Sequence, residues 1–146
     1  LYELCIAYDV PVTIHCSVHF GRFAKLDFSR PIYIDNVAVR FPDLKIVALH
    51  GGWPWVNELV AVAWRHQHVY IDISGVRPLY LGKSGTGWEP LMSYGNSLLQ
   101  DKVLWGTAWP LQPLARSLEE VRALPLKPEV VEKWTHKNAA TLLGLE

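Results

Sequence analysis

Four short apolar runs, separated by segments of helical periodicity, constrain the fold of this 146-residue chain more than any other feature. The runs span residues 10–15, 44–50, 69–73 and 102–105, and each is typical of a buried strand. Because a helix between two strands returns the chain to the same edge of the sheet, this alternation predicts parallel pairing. The sequence therefore predicts an α/β fold, either a small doubly wound sheet or half of an eight-stranded barrel, which needs about 250 residues when complete.

The segments between the runs predict the helices. Ser29 is expected to cap the first of them, Pro42 to end it and Pro54 to open the next. A further helix is predicted over residues 88–99, after a glycine-rich loop, and three more over residues 114–123, 128–136 and 138–143. Three tryptophans inside these helices are expected to pack in the core: Trp64, Trp88 and Trp134.

Composition excludes several classes of function. The chain has 14 basic and 14 acidic residues, and no dense run of Lys or Arg that would follow a phosphate backbone, so nucleic acid is not an expected partner. No apolar run reaches the roughly 18 residues that span a membrane. Cys5 and Cys16 lie in apolar stretches and predict buried free thiols in a reducing cytoplasm. The chain begins at Leu1, inside what looks like the end of an amphipathic helix, which indicates an excerpt from a longer protein.

Two histidines end predicted strands. His15 follows the first strand and His50 the second, and Ala108 follows the fourth after a short turn. Because the carboxyl ends of parallel strands meet at one edge, we expect the two imidazoles to converge on one cavity. Neutral imidazole is a common ligand of divalent transition metals, and a carboxylate normally completes such a site.

Four segments resemble a known family when taken in order. They are residues 11–15, residues 41–52 with His50-Gly51-Gly52, residues 106–110, and residues 138–145. Together they are similar to the amidohydrolase-related branch of the metal-dependent amidohydrolase superfamily, which includes the aminocarboxymuconate-semialdehyde and γ-resorcylate decarboxylases. The resemblance implies that residues 1–146 are a single partial domain, the carboxyl half (strands five to eight) of a (β/α)8 TIM barrel.

The resemblance also implies roles for the residues at the strand ends. His15 corresponds to a ligand of one divalent metal, expected to be zinc, and His50 to a catalytic histidine that contacts substrate. The family's catalytic Asp falls on Ala108, and its first-strand His-x-His pair has no counterpart in this sequence. Since that Asp acts as a general base, its loss is expected to lower turnover about 10²-fold to 10⁴-fold. The alanine is either an engineered or a natural replacement.

The implied substrate is a small cyclic or aromatic carboxylic acid, with His19, Trp53 and Trp109 as candidate contacts. Decarboxylation, hydrolysis and hydration all remain open as the reaction. Two alternatives stand beside the enzyme: a non-catalytic binding or assembly module that keeps the barrel, and a small α/β domain that pairs with a second copy. The expected partner is accordingly a missing amino-terminal half or another copy of the chain.

Overall fold

Four parallel strands form one sheet, in chain order, in the computed structural model, which describes residues 1–145. The strands are shorter than the apolar runs that predict them: β1 (Val12–His15), β2 (Ile46–Leu49), β3 (Val69–Asp72) and β4 (Val103–Leu104). Each strand pairs with the next one in register, as the alternation predicts, with Val12 opposite Ile46 and Ile71 opposite Val103. The strand–helix alternation thus produces the predicted parallel α/β sheet.

The two faces of the sheet differ in what covers them. Alternate residues such as Ile46, Ala48 and Ile71 are fully buried and belong to the main core, which the helices cover. The opposite face carries Thr13, His15 and Leu49 toward the β1 side, and all three are exposed or half-buried. His15 therefore lies on the face opposite the main core, near the β1 edge, where the side chains are not fully buried.

The helices lie where the periodicity predicts them, with shifted ends. They are α1 (Tyr2–Ala7), α2 (Ile32–Arg40), α3 (Val56–Arg65), α4 (Glu89–Gly95), α5 (Leu114–Arg122), α6 (Pro128–Glu132) and α7 (Asn138–Leu143). The prediction that Ser29 caps α2 is wrong, because Ser29 ends a separate 3-10 turn and Pro31 occupies the cap position without a side-chain hydrogen bond. A π-helical turn, Lys133–Lys137, joins α6 to α7.

The three helix tryptophans do not all reach the core. Trp88 and Trp134 are 5% and 0% exposed, as predicted, and Trp134 donates a hydrogen bond to the carbonyl of Gly95. Trp64 is 60% exposed, so its predicted place in the core is wrong. The buried side of α3 is formed by Val56, Leu59, Val60, Val62 and Ala63, and Trp64 lies beyond the margin of that stripe.

The carboxyl-terminal helix is tied to the sheet by Asn138. Its side-chain amide is buried and donates to the backbone carbonyls of Gln100 and Val103, at 2.9 and 2.7 Å. Leu142 and Ala139 of the same helix pack on Val47 and Leu104. Within residues 1–145, every helix is too short or too polar to cross a bilayer.

Candidate active site at the carboxyl ends of the strands

Two histidine rings meet at the carboxyl edge of the sheet. The ring centroids of His15 and His50 lie 5.1 Å apart, and His19 adds a third ring 6.2 Å from His15. All three, together with Ala108, line one cavity of about 410 Å³. The predicted convergence of the strand-end residues is confirmed, while their roles in binding or catalysis stay predictions.

The turn after β2 presents His50 through a left-handed backbone. His50 has φ 68°, and Gly51 and Gly52 follow with φ 66° and 75°. A Cβ atom at Gly51 would lie 2.6 Å from the Trp88 ring, and one at Gly52 would lie 2.8 Å from Leu59 Cβ. The two glycines therefore permit a sharp turn that packs directly on its neighbours. The space beside each glycine is occupied by a protein side chain and leaves no room for a ligand.

Ser74 and Asp72 hold the back of the His50 ring. His50 Nδ1 lies 2.8 Å from the Ser74 carbonyl oxygen, and the Ser74 hydroxyl is hydrogen-bonded to the buried Asp72 carboxylate. Neither residue is among the site residues predicted from the sequence, although Asp72 ends β3 just as His15 ends β1. A carboxylate in that position is the signal that would have identified them.

Ala108 lies at the cavity in a left-handed conformation, with φ 51°. This conformation costs an ordinary L-residue about 1–2 kcal/mol, and among non-glycine residues Asn and Asp adopt it most readily. The backbone at this position therefore suits an aspartate better than the alanine it carries.

Tryptophan and loop residues form the walls of the cavity. Trp53 joins three loops: its carbonyl accepts hydrogen bonds from Ser17 Oγ and Val18 N, and its indole donates to the Thr86 carbonyl at 3.1 Å. Trp109 is 74% exposed and does not line the cavity. Of the predicted aromatic contacts, Trp53 is therefore at the site and Trp109 is outside it.

A second cavity, of about 680 Å³, adjoins the first. The two share five lining residues: Phe20, Trp53, Gly75, Val76 and Leu111. Its far wall carries Arg77 and Arg116, which both form ion pairs with the single carboxylate of Glu120. The combined space extends from the histidines toward a region with one unbalanced positive charge.

The histidine cluster disfavours protonation of its central ring. Desolvation lowers the pKa of His15, and the neighbouring His50 and His19 lower it further, because like charges repel. A neutral His15 keeps a lone pair for a cation or a proton. Cys16, the next residue, is 1% exposed, and burial raises the pKa of its thiol to about 12. The predicted buried free thiol is confirmed for Cys16, whereas Cys5 is only half-buried.

The described residues fall short of a metal site. Within residues 1–145 no group of three or more His, Cys, Asp or Glu side chains is placed to hold a metal ion. Catalytic zinc sites use three protein ligands, and the rings of His15, His19 and His50 do not form such a group. Asp72 does not line the cavity, and its Oδ1 already accepts hydrogen bonds from Ser74 and from the backbone N–H of His50.

A parallel α/β sheet with histidines at the carboxyl ends of adjacent strands is typical of α/β-barrel proteins, whose functional sites lie at that end of the strands. The chain belongs to the amidohydrolase family, whose model matches residues 1–145. The predicted family resemblance is therefore confirmed.

Solved structures support the same fold. An uncharacterised TIM-barrel protein from Bordetella bronchiseptica is 36% identical with a TM-score of 0.84, and the match covers 98% of this chain and 48% of that one. A dihydroxybenzoic acid decarboxylase from Polaromonas sp. JS666, with bound manganese and the inhibitor 2-nitroresorcinol, is 16% identical with a TM-score of 0.68 over 99% and 52% of the two chains. A 5-carboxyvanillate decarboxylase from Sphingomonas paucimobilis is 19% identical with a TM-score of 0.65 over 97% and 51%.

The chain spans about half the length of these structures. Its four-stranded sheet is half of a TIM barrel, as predicted, and the doubly wound alternative is set aside. The two decarboxylases are 16% and 19% identical to this chain, and at these identities the likeness shows the fold alone. A comparison with curated proteins finds no match.

Proposed function

We propose that this chain is half of a metal-dependent hydrolase or decarboxylase barrel that acts on a small cyclic or aromatic carboxylic acid. We propose further that the chain is inactive as it stands, because it carries Ala108 and because the described residues include no group of three side chains that could hold a metal ion. The single observation that carries the proposal is the meeting of His15 and His50, 5.1 Å apart, on one cavity at the carboxyl edge of the sheet.

The shape and lining of the site support this substrate class. A cavity of about 410 Å³ is in the range of small-molecule sites, and Trp53 and Trp88 supply flat apolar walls for a ring. The neighbouring pair of arginines around one glutamate leaves a net positive charge that favours an anion. Two structures that share the fold hold manganese together with hydroxylated, nitrated aromatic ligands.

In this proposal His15 is a ligand of a divalent ion, and the other ligands come from residues outside this chain. When bound, the ion polarises an oxygen of the substrate or of water. The family resemblance implies zinc, and we propose manganese as an equal candidate because two structures with this fold hold it. His50 contacts the substrate, and its role in accepting or holding a proton depends on its free ring nitrogen.

The missing group in this arrangement is the carboxylate at position 108. The left-handed backbone there, φ 51°, suits an aspartate, and the position lines the cavity with both histidines. Replacing Ala108 with Asp adds a general base without a change of backbone. Decarboxylation, hydrolysis and hydration all use such a base, so activity measurements on several substrates are needed to distinguish these reactions.

The test uses the natural protein that contains this chain, as it is and with Ala108→Asp. We expect Ala108→Asp to raise turnover of 2,6-dihydroxybenzoate or a related hydroxybenzoate about 10²-fold to 10⁴-fold. Zinc and manganese are each supplied, and metal content is measured by mass spectrometry. The matched control, Ala61→Asp, adds the same charge on the exposed side of α3 and should leave turnover unchanged.

Adding His15→Ala to the Ala108→Asp protein should release the metal and abolish turnover. The enzyme proposal fails if the Ala108→Asp protein binds metal but turns over none of the hydroxybenzoates, lactones or muconate-like acids offered. It also fails if the protein binds neither zinc nor manganese.

The alternative proposal is a non-catalytic binding or assembly module that retains the barrel fold. A natural alanine at position 108, together with absence of the first-strand His-x-His pair from the whole protein, would favour it. In that case 2,6-dihydroxybenzoate binds to the unaltered protein with saturation, and Ala108→Asp produces no turnover.

A further inference from the structure

His50 is held from behind through one ring nitrogen. Its Nδ1 lies 2.8 Å from the backbone carbonyl oxygen of Ser74 and 3.2 Å from the Ser74 hydroxyl oxygen. A carbonyl oxygen can only accept a hydrogen bond, so the proton must be on Nδ1. In the neutral ring this leaves the lone pair on Nε2.

Asp72 ensures that the Ser74 hydroxyl oxygen, like the Ser74 carbonyl oxygen, accepts a hydrogen bond from His50 Nδ1–H. The Ser74 hydroxyl donates its one proton to Asp72 Oδ1, so its oxygen faces His50 with lone pairs only. Both oxygens of Ser74 are therefore acceptors for the same Nδ1–H. If Asp72 were absent, the hydroxyl would be free to rotate and donate to an unprotonated Nδ1.

The same carboxylate also fixes the backbone on both sides of the site. Asp72 Oδ1 accepts from the backbone N–H of Ser74 at 3.0 Å and from that of His50 at 3.3 Å. It is 8% exposed, so these bonds form with little competition from water. One oxygen of Asp72 thus joins the end of β3 to the left-handed turn after β2.

Gly75 and Gly106 lie so close to this network that a side chain at either position would crowd it. A Cβ atom at Gly75 would lie 2.8 Å from His50 Nδ1, and one at Gly106 would lie 3.2 Å from Asp72 Oδ2. The ring and the carboxylate are therefore packed against backbone on these sides, so the ring has little freedom to turn over.

We infer that Asp72 and Ser74 are positioning residues that hold His50 in the Nδ1–H tautomer and present Nε2 to the cavity as an acceptor. A neutral His50 then takes a proton from a ligand or holds a cation, and it donates no hydrogen bond to an anion. The tautomer stands on the geometry alone, whereas its catalytic meaning rests on the proposed function. This arrangement, in which the second ring nitrogen donates to a carbonyl, is common for histidines that bind metals.

The test is the tautomer itself, read by long-range ¹H–¹⁵N correlation spectra of the histidine rings, at a pH well above the ordinary imidazole pKa of about 6.5. We expect His50 to carry its proton on Nδ1. His66 is an internal control of the opposite kind, because its Nε2 lies 2.7 Å from Asp35 Oδ1, which can only accept. His66 should therefore carry its proton on Nε2 in every variant.

Two substitutions at Asp72 distinguish the effect of its negative charge from the effect of its hydrogen-bond acceptor. Asp72→Asn keeps an acceptor oxygen at Oδ1 and should leave His50 as Nδ1–H. Asp72→Ala removes the acceptor that holds the backbone N–H groups of Ser74 and His50, so the Ser74 carbonyl can move away from the ring and a mixture with Nε2–H should appear. If the unaltered protein carries the His50 proton on Nε2, the inference is overturned. This measurement needs no variant and so does not depend on whether Asp72→Ala folds. A folded Asp72→Ala protein with an unchanged tautomer overturns the role of Asp72. Absence of turnover contradicts the proposed function only and leaves the tautomer result intact.

Discussion

Replacing Gly75 with alanine measures how tightly the His50 ring is packed. Gly75 has φ 73°, and an added Cβ would lie 2.8 Å from His50 Nδ1. The substitution therefore has two costs, a strained backbone and a displaced ring. Gly85 is the matched control, because it has φ 76° and an added Cβ there would have no neighbour within 4 Å.

The two costs can be estimated separately. A left-handed alanine costs about 1–2 kcal/mol, which a stiffer unfolded chain offsets by about 0.4–1 kcal/mol. Gly85→Ala should thus lower the free energy of unfolding by about 1 kcal/mol. In Gly75→Ala the ring must also move away and lose its hydrogen bond to the Ser74 carbonyl, which adds about 1 kcal/mol. The expected loss at Gly75 is therefore about 2 kcal/mol.

Urea unfolding of both variants, followed by tryptophan fluorescence, measures the difference. The ring spectra of Gly75→Ala should show a displaced His50 and an unchanged His66. Equal losses of stability in the two variants, with an unaltered His50 signal, would refute the packing of the ring on Gly75 and weaken the positioning argument that uses it.

Three further predictions concern residues that do not line the histidine cavity. Cys16 should react with a thiol reagent only after unfolding, and Cys5, which is half-buried, should react sooner; equal rates in the folded protein contradict this. Arg77 lowers the pKa of Glu120, so this pair stabilises the fold above the ordinary carboxyl pKa and is lost as the pH falls through the lowered value. Acid titration of Glu120→Gln, monitored by circular dichroism, should show a weaker acid dependence than the parent. Asn138→Ala removes one buried and one partly buried hydrogen bond to backbone carbonyls and should cost about 2–3 kcal/mol in urea unfolding, whereas a loss below 1 kcal/mol contradicts the tie between α7 and the sheet.

Local patterns predict most of the secondary structure. Strand runs and helical periodicity depend on neighbouring residues, and they place all four strands and the helices correctly to within a few residues. The errors occur where packing decides. Ser29 is a good capping residue in isolation, but the chain forms a 3-10 turn there, and Trp64 matches the helical period yet lies outside the buried side of α3.

Part of the site is also accessible from sequence. His15 and His50 end adjacent parallel strands, and parallel strands have their carboxyl ends at one edge, so their convergence follows from the alternation of elements. Ala108 stands out because the surrounding motif predicts an acidic residue. Trp109 has the same signal as Trp53, but the loop turns its ring outward, and no pattern in the sequence distinguishes the two.

The sequence by itself determined the α/β class, the parallel sheet and the pair of histidines at its edge, because each depends on the order and periodicity of residues along the chain. Only the tertiary structure decided which nitrogen of His50 carries the proton. That choice depends on a carbonyl 24 residues away and on a carboxylate that reaches both strand ends. Hydrogen-bond direction is a property of atoms brought together in space, and residue order alone does not contain it.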